Sequence, residues 1–160
     1  MTALHDLAAE HLDAVLALNA AHVAETSELT LGELEYLVAT AFSARGTGGG
    51  EAFLLTFDET ADYASPNYLW FRARYPRFVY VDRVIVAPQA RGRGLARRLY
   101  EDLFARTGAS GRELVACEVN LQPPNPGSDA FHASLGFTEV GRAEIHQGAK
   151  TVRYLVRKLG

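Results

Sequence analysis

Apolar positions along this chain switch between helical and strand periods, and the switches divide it into elements. Residues 5–24 place Leu12, Val15, Leu16, Asn19 and Val23 on one face, with Glu10 and Asp13 off it, which predicts a helix. A short strand over residues 2–4 precedes it. Thr30, with Glu33 three residues on, has the capping-box pattern, and Leu34, Leu37, Val38, Ala41 and Phe42 continue as a second helix. The glycine-rich run 46–50 predicts a loop. Residues 52–57 form a strand, residues 58–66 are polar and turn-rich, and residues 67–75 are aromatic and strand-like.

The β-branched run Val79-Tyr80-Val81 and Val84-Ile85-Val86 predicts a buried strand, which Pro88 ends because it has no N–H for a ladder. A turn from Gln89 to Gly94 follows. Leu95, Ala96, Leu99, Tyr100, Leu103 and Phe104 then recur at helical spacing, and Arg97 with Glu101 and Arg98 with Asp102 pair four apart on the opposite face. Residues 107–111 predict a loop and residues 113–119 a strand. Asn125 suits a helix N-cap and Pro126 a first helical residue; that helix runs to Leu135 and Gly136 stops it. Residues 138–145 and 151–158 form two strands around a hairpin at 146–150. The order implies one α+β domain over 1–160, with a mixed sheet flanked by helices.

Bulk composition narrows the function classes. Apolar residues make up 48% and charged residues 22%, ordinary for a globular chain, and the net charge of -3 argues against nucleic acid as a partner. No apolar run reaches a membrane span, and no secretory leader is expected. One cysteine, Cys117, excludes an internal disulfide and points to a cytoplasmic protein; between Ala116 and Glu118 on a strand it reads as a buried structural thiol. His5, His11, His22 and His146 show no metal-ligand spacing, so no metal is expected.

Strand, glycine turn and helix in succession can hold phosphate. Gly92 and Gly94 permit a tight turn with no Cβ in the way, the first N–H groups of the helix lack internal partners, and Arg91 and Arg93 add positive charge. The same residues also fit an ordinary tight turn. No G-x-x-x-x-G-K-[ST] is present, and the third glycine of the dinucleotide fingerprint is replaced by Arg97.

Residues 84–96, VIVAPQARGRGLA, resemble the signature of the GNAT superfamily, the acyl-CoA-dependent N-acyltransferases: an apolar strand, V-x-P, then Q/R-x-x-G-x-G/A opening a helix, with Gln89, Gly92 and Gly94 at its defining places. Residues 125–137, NPGSDAFHASLGF, resemble the family's second signature through Asn125, Gly136 and Phe137, with Ser128 and His132 departing from it. The resemblance implies a three-layer fold with a central sheet of six to seven strands and about four helices. It implies acetyl-CoA as co-substrate, with Val84, Ile85 and Val86 along the pantetheine arm, Gln89, Arg91, Gly92, Arg93, Gly94, Leu95 and Ala96 at the pyrophosphate, and Asn125 beside the arm. It also allows a homodimer.

Acetyl transfer to an amine needs a base, an oxyanion donor and a proton for the leaving thiolate. The resemblance puts His132 where the family commonly has a tyrosine acid, and a histidine there can act as a proton donor or simply pack. Asp82 and Glu118 are the carboxylates on the two central strands; each is a candidate base or a structural partner, and Asp82 shares parity with Tyr80, Val84 and Val86 if no bulge intervenes. Tyr63, Tyr68 and Trp70 belong to an aromatic cluster that either packs the core or walls the acceptor site. The reading is an N-acetyltransferase acting on a primary amine of a small molecule or peptide. An acyl-CoA-binding sensor without turnover and a phosphate-binding interaction module are the alternatives.

Overall fold

The computed structural model describes residues 3–23, 26–48, 50–122 and 124–160. In chain order they form β1 (Leu4–Asp6), α1 (Leu12–Ala20), α2 (Leu31–Thr40), β2 (Ser43–Thr47), β3 (Ala52–Asp58), α3 (Pro66–Arg72) and β4 (Val79–Val86). There follow α4 (Leu95–Ala109), β5 (Leu114–Gln122), α5 (Pro126–Ser134), β6 (Thr138–Ile145) and β7 (Lys150–Lys158), with single 3₁₀ turns at Ala9–His11 and Pro88–Ala90. The strands make one sheet in the order β1-β2-β3-β4-β5-β7-β6.

Every neighbouring pair is antiparallel except β4 and β5, and that exception creates the cleft. These two parallel strands pair only at Val79↔Val115 and Tyr80↔Ala116. Beyond that point β4 stays bonded to β3 as far as Val86, and β5 stays bonded to β7 as far as Gln122. The strands therefore splay, and their facing edges carry no strand pairing past Tyr80 and Ala116. Consecutive strand residues point to opposite faces. Val79 and Val81 pack with Leu12, Val15, Leu99 and Leu103, whereas Tyr80 packs with Tyr68 and Phe71 of α3 and with Phe57 and Tyr154. Helices thus cover both faces in three layers.

Several local signals hold as read. Thr30 Oγ1 accepts the Glu33 N–H at 3.1 Å while the Glu33 carboxylate accepts the Thr30 N–H at 2.9 Å, closing the capping box. Asn125 Oδ1 accepts the Ser128 N–H at 3.2 Å, and Gly136 takes a left-handed φ of 89° where α5 stops.

Tertiary pairing overturns others. The helix expected over 5–24 begins at Leu12, because His5 and Asp6 pair with Gly46 and Arg45 as β1. The strand expected at 2–4, whose first residue lies outside the described set, is displaced to Leu4–Asp6. Gly46 and Thr47 lie in β2 rather than in a loop. A Cβ on Gly46 would come within 2.8 Å of Leu7 Cδ2 and 3.2 Å of the Ala52 carbonyl, so close approach explains that glycine. Gly49 of the same run lies outside the described residues.

Residues 67–75 are not a strand: Pro66–Arg72 is helical, capped by Ser65 Oγ, which accepts the Tyr68 N–H at 3.3 Å. The Ser-Pro start outweighed the β preference of the aromatics. The expected loop at 107–111 is largely helix, since α4 runs to Ala109. Asp102 pairs with Arg45 and Arg106 at 3.2 and 3.0 Å instead of with Arg98.

Candidate active site

The splay opens a cleft of about 860 Å³, lined on one side by Val84, Ile85 and Val86 of β4, Ala96 and Tyr100 of α4, and Asn125, Phe131 and His132 around α5. The turn at its end is shaped by glycine. Gly92 and Gly94 have φ of 80° and 72°, a region that side-chain-bearing residues rarely adopt, and a Cβ on either would meet nothing within 4 Å. The space beside the turn is open. The first helical bond of α4 is the Arg98 N–H to the Gly94 carbonyl at 3.0 Å, and no side chain caps the start, so the preceding N–H groups face outward.

The other expected residues of this end divide by what they offer. Arg91 lines the cleft, with its guanidinium 3.4 Å from His22 Nε2. Arg93 instead pairs with Glu51 at 3.1 Å and bonds the Ala90 carbonyl, bracing the turn. Leu95 turns its side chain into the core and contributes only backbone, and Gln89 sits exposed on the 3₁₀ turn. Open backbone donors at a helix start and a free strand edge together suit a ligand with a pyrophosphate and an amide-bearing arm.

The apex of the splay is built from side chains. Glu118, two residues past the last paired position of β5, accepts from the Tyr80 hydroxyl at 2.8 and 2.9 Å and from Asn67 Nδ2 at 2.9 Å. The Tyr154 hydroxyl donates to Asn67 Oδ1 at 2.8 Å, which orients that amide. Burial raises the Glu118 carboxyl from its ordinary 4.5 to about 7, against the opposing hydrogen bonds from Tyr80 and Asn67. Glu118 lines the cleft with neutral partners only, so it is poised to exchange a proton near neutral pH.

Asp82, the other expected carboxylate, is committed elsewhere. The ladder runs Leu55↔Arg83 and then Thr56↔Val81, so a bulge leaves Asp82 without a partner on β3. Its carboxylate takes Arg83 Nε at 2.6 Å and a short hydrogen bond from the Tyr63 hydroxyl, both side chains of the ion pair being almost fully buried. Arg83 in turn donates to Asn19 Oδ1 at 2.9 Å and to Ser27, tying the end of α1 to the sheet. Burial, reinforced by Asp82, pushes the Tyr63 phenol far above its usual range.

His132 is 5% exposed. Its Nδ1 lies 2.8 Å from the Ser128 carbonyl, which can only accept, so that nitrogen carries the hydrogen. Nε2 then accepts from the Tyr100 hydroxyl at 2.8 Å. Burial lowers the imidazole pKa and keeps the ring neutral. In this arrangement neither nitrogen has a free proton to present to the cleft.

Of the aromatic trio, Tyr63 lines the cleft. Tyr68 is fully buried, its hydroxyl bonded to the Asp58 carbonyl at 2.7 Å, and Trp70 stacks on Tyr154 at 4.1 Å between ring centres. Neither walls the cleft; Trp70 buttresses the network behind it. Asn67 was not singled out in the sequence, because nothing local links it to Glu118, while Tyr80 and Tyr100 were read there only as parts of a buried strand and an apolar stripe. Cys117 lines the cleft, but burial drives its thiol pKa up, as expected of a structural thiol. Among the described residues no cluster of His, Cys, Asp or Glu is placed to hold a metal ion.

A family model described as the acetyltransferase (GNAT) family matches residues 35–137. The chain belongs to the GNAT acetyltransferase family. No curated protein matches the sequence. Among solved structures, the NatC complex bound to Gag peptide and CoA contains a chain that aligns with a TM-score of 0.78 at 12% identity, over 99% of both chains. The ribosomal-protein-S18-alanine N-acetyltransferase from Escherichia coli aligns at 0.72 and 17%, over 100% of this chain and 95% of its own. A putative acetyltransferase, yncA of Salmonella typhimurium, solved with its cofactor acetyl-CoA, aligns at 0.72 and 16%, again over 100% and 95%. At these identities the likeness is one of fold. No helix of the described residues is long and apolar enough to cross a membrane.

Proposed function

We propose that this GNAT domain, residues 1–160, is an N-acetyltransferase that moves an acetyl group from acetyl-CoA directly to a primary amine of a small molecule or peptide. The observation that carries the reading is the β4–β5 splay, with a glycine turn and uncapped helix start at its open end and Glu118 near its apex. Acetyl-CoA supplies an activated thioester. The open turn at Gly92 and Gly94 and the start of α4 hold its pyrophosphate. The free edge of β4 at Val84, Ile85 and Val86 bonds the amide-bearing arm, with Asn125 across the cleft, and backbone N–H groups of the same edge are available to a developing oxyanion.

Glu118 accepts the proton that the attacking nitrogen sheds as the C–N bond forms. Asn67 and Tyr80 hold the carboxylate in place, and its pKa of about 7 makes it a base at neutral pH. Asp82 keeps Tyr63 and the end of α1 in position. The coenzyme A sulfur leaves as the thiolate and takes its proton from solvent at the open end of the cleft, while His132, neutral and bonded at both nitrogens, fixes Tyr100. The buried lone thiol of Cys117 suits a reducing, cytoplasmic setting.

The test is thiol release from acetyl-CoA against a panel of amines, with coenzyme A binding measured by calorimetry. Amine-dependent thiol release is expected. Binding without release on any amine would point to an acyl-CoA sensor, and no binding at all would overturn the reading.

A further inference from the structure

The acceptor end of the cleft carries two groups of opposite charge, the base Glu118 and a lysine that no step of the transfer uses. Asp82 is neutralised by Arg83, which leaves Glu118 as the carboxylate on the floor bonded only to neutral groups. At the mouth, Lys150 opens β7, is half-buried and lines the cleft, and no carboxylate among the described residues pairs with it. Arg91, the other cation on the cleft wall without a carboxylate partner among the described residues, stands at the glycine turn where the pyrophosphate binds.

The sheet fixes where the two charges stand. Lys150, Val152 and Tyr154 alternate onto one face of β7, and Tyr154 is paired with Glu118 across the ladder. Four residues separate Lys150 from Tyr154, about 13 Å along the strand at roughly 3.3 Å per residue. Side chains stand roughly perpendicular to a sheet, so the ammonium and the carboxylate remain on the order of 10 Å apart. Once each makes its own contact, the space between admits a molecule of amino-acid size. Lys150 is also not a loose end. Ile145 pairs with it, the Ala149 N–H bonds the His146 carbonyl at 3.1 Å, and His146 and Gln147 hold left-handed φ of 52° and 57° that few non-glycine residues adopt. Ile145 and His146 line the cleft beside it, one apolar and one polar.

We infer that the acceptor is a small zwitterion, an amine bearing an acid group a few bonds from its nitrogen, with the nitrogen at Glu118 and the acid at Lys150. The inference rests on the acetyl-transfer reading and adds the substrate class to it. Lys150 selects by charge, so its effect falls on acceptor KM more than on kcat.

The experiment measures thiol release by the full chain at saturating acetyl-CoA on matched acceptor pairs: glutamate and 4-aminobutyrate, each against its carboxamide. The acids should be preferred in kcat/KM by about tenfold or more. Lys150→Met should bring each pair to parity, and Lys150→Glu should turn the preference toward a diamine such as 1,4-diaminobutane. Turnover of the amides, or of uncharged peptide N-termini, at rates equal to or above those of the acids would overturn the inference and leave acetyl transfer to amines standing. Thiol release on none of the amines would remove both.

Discussion

The two ends of the cleft are built by opposite means. At the open end, recognition belongs to backbone: two glycines with positive φ, an uncapped helix start and an unpaired strand edge. The side chains there are mostly turned away, with Leu95 in the core and Arg93 held by Glu51. At the apex, recognition belongs to side chains from four separate segments, Asn67, Tyr80, Glu118 and Tyr154, joined by hydrogen bonds of 2.8 to 2.9 Å. Backbone binding suits a constant partner, because it asks only for local geometry. A side-chain network can change its specificity one residue at a time, and it also tunes a carboxyl group to about 7. The two carboxylates at the apex show how far environment decides: Asp82, beside Arg83, is spent on an ion pair, whereas Glu118, with neutral partners, keeps a transferable proton.

The comparison breaks most sharply at Glu118. Glu118→Gln should lower kcat about 10²- to 10⁴-fold with acetyl-CoA affinity retained. In the parent enzyme kcat/KM should climb as pH rises through about 7, since the carboxyl must be ionised to accept a proton. The same group affects stability. Its folded pKa lies above its ordinary 4.5, so its contribution is fully present below 4.5 and lost as pH rises to about 7; chemical denaturation across that window should show the slope, and Glu118→Gln should remove it. A variant with unaltered kcat would locate the base elsewhere.

At the opposite end, Gly92→Val or Gly94→Val should cost coenzyme A binding roughly 100-fold or more by calorimetry. A β-branched residue is strained at these φ angles, and its Cβ occupies the open side of the turn. Wild-type affinity in both variants would separate the turn from the phosphate site.

His132→Phe sharpens the border between the two ends. It should cost about 1–3 kcal/mol of stability by leaving the buried Tyr100 hydroxyl without its acceptor, while kcat falls less than tenfold. A loss of about 100-fold in kcat would restore the direct-acid role. His132→Tyr should not improve on it, because a longer ring meets Tyr100. Behind the network, Gly141→Ala should destabilise by about 1–3 kcal/mol, as its Cβ would lie 2.5 Å from Trp70 Cζ2 and push that ring off Tyr154; an unchanged denaturation midpoint would mean that the ring yields freely. The smallest effect belongs to Tyr63→Phe, which should raise acceptor KM about threefold and leave acetyl-CoA binding alone. Equal losses for both substrates would deny Tyr63 a place on the acceptor side.

Sequence by itself determined what depends on neighbours in the chain. The run 79–86, the turn at Gly92 and Gly94, the amphipathic stripe of α4 and the caps at Thr30 and Asn125 all sit where local patterning places them. The α+β order and the family signature follow, since helix starts, glycine conformations and period are set within a few residues. Tertiary structure alone decided the rest. Residues 43–47 became a strand because β1 and β3 flank them, and the aromatic run from Tyr68 to Phe71 became a helix whose Asn67 reaches Glu118, 51 residues away. The difference between Asp82 and Glu118, two buried carboxylates on adjacent strands, arose from a bulge and a salt bridge at the one and neutral partners at the other. Arg83 is the chain neighbour of Asp82, but the bulge and the burial come from surroundings assembled from distant segments, and no local pattern encodes those.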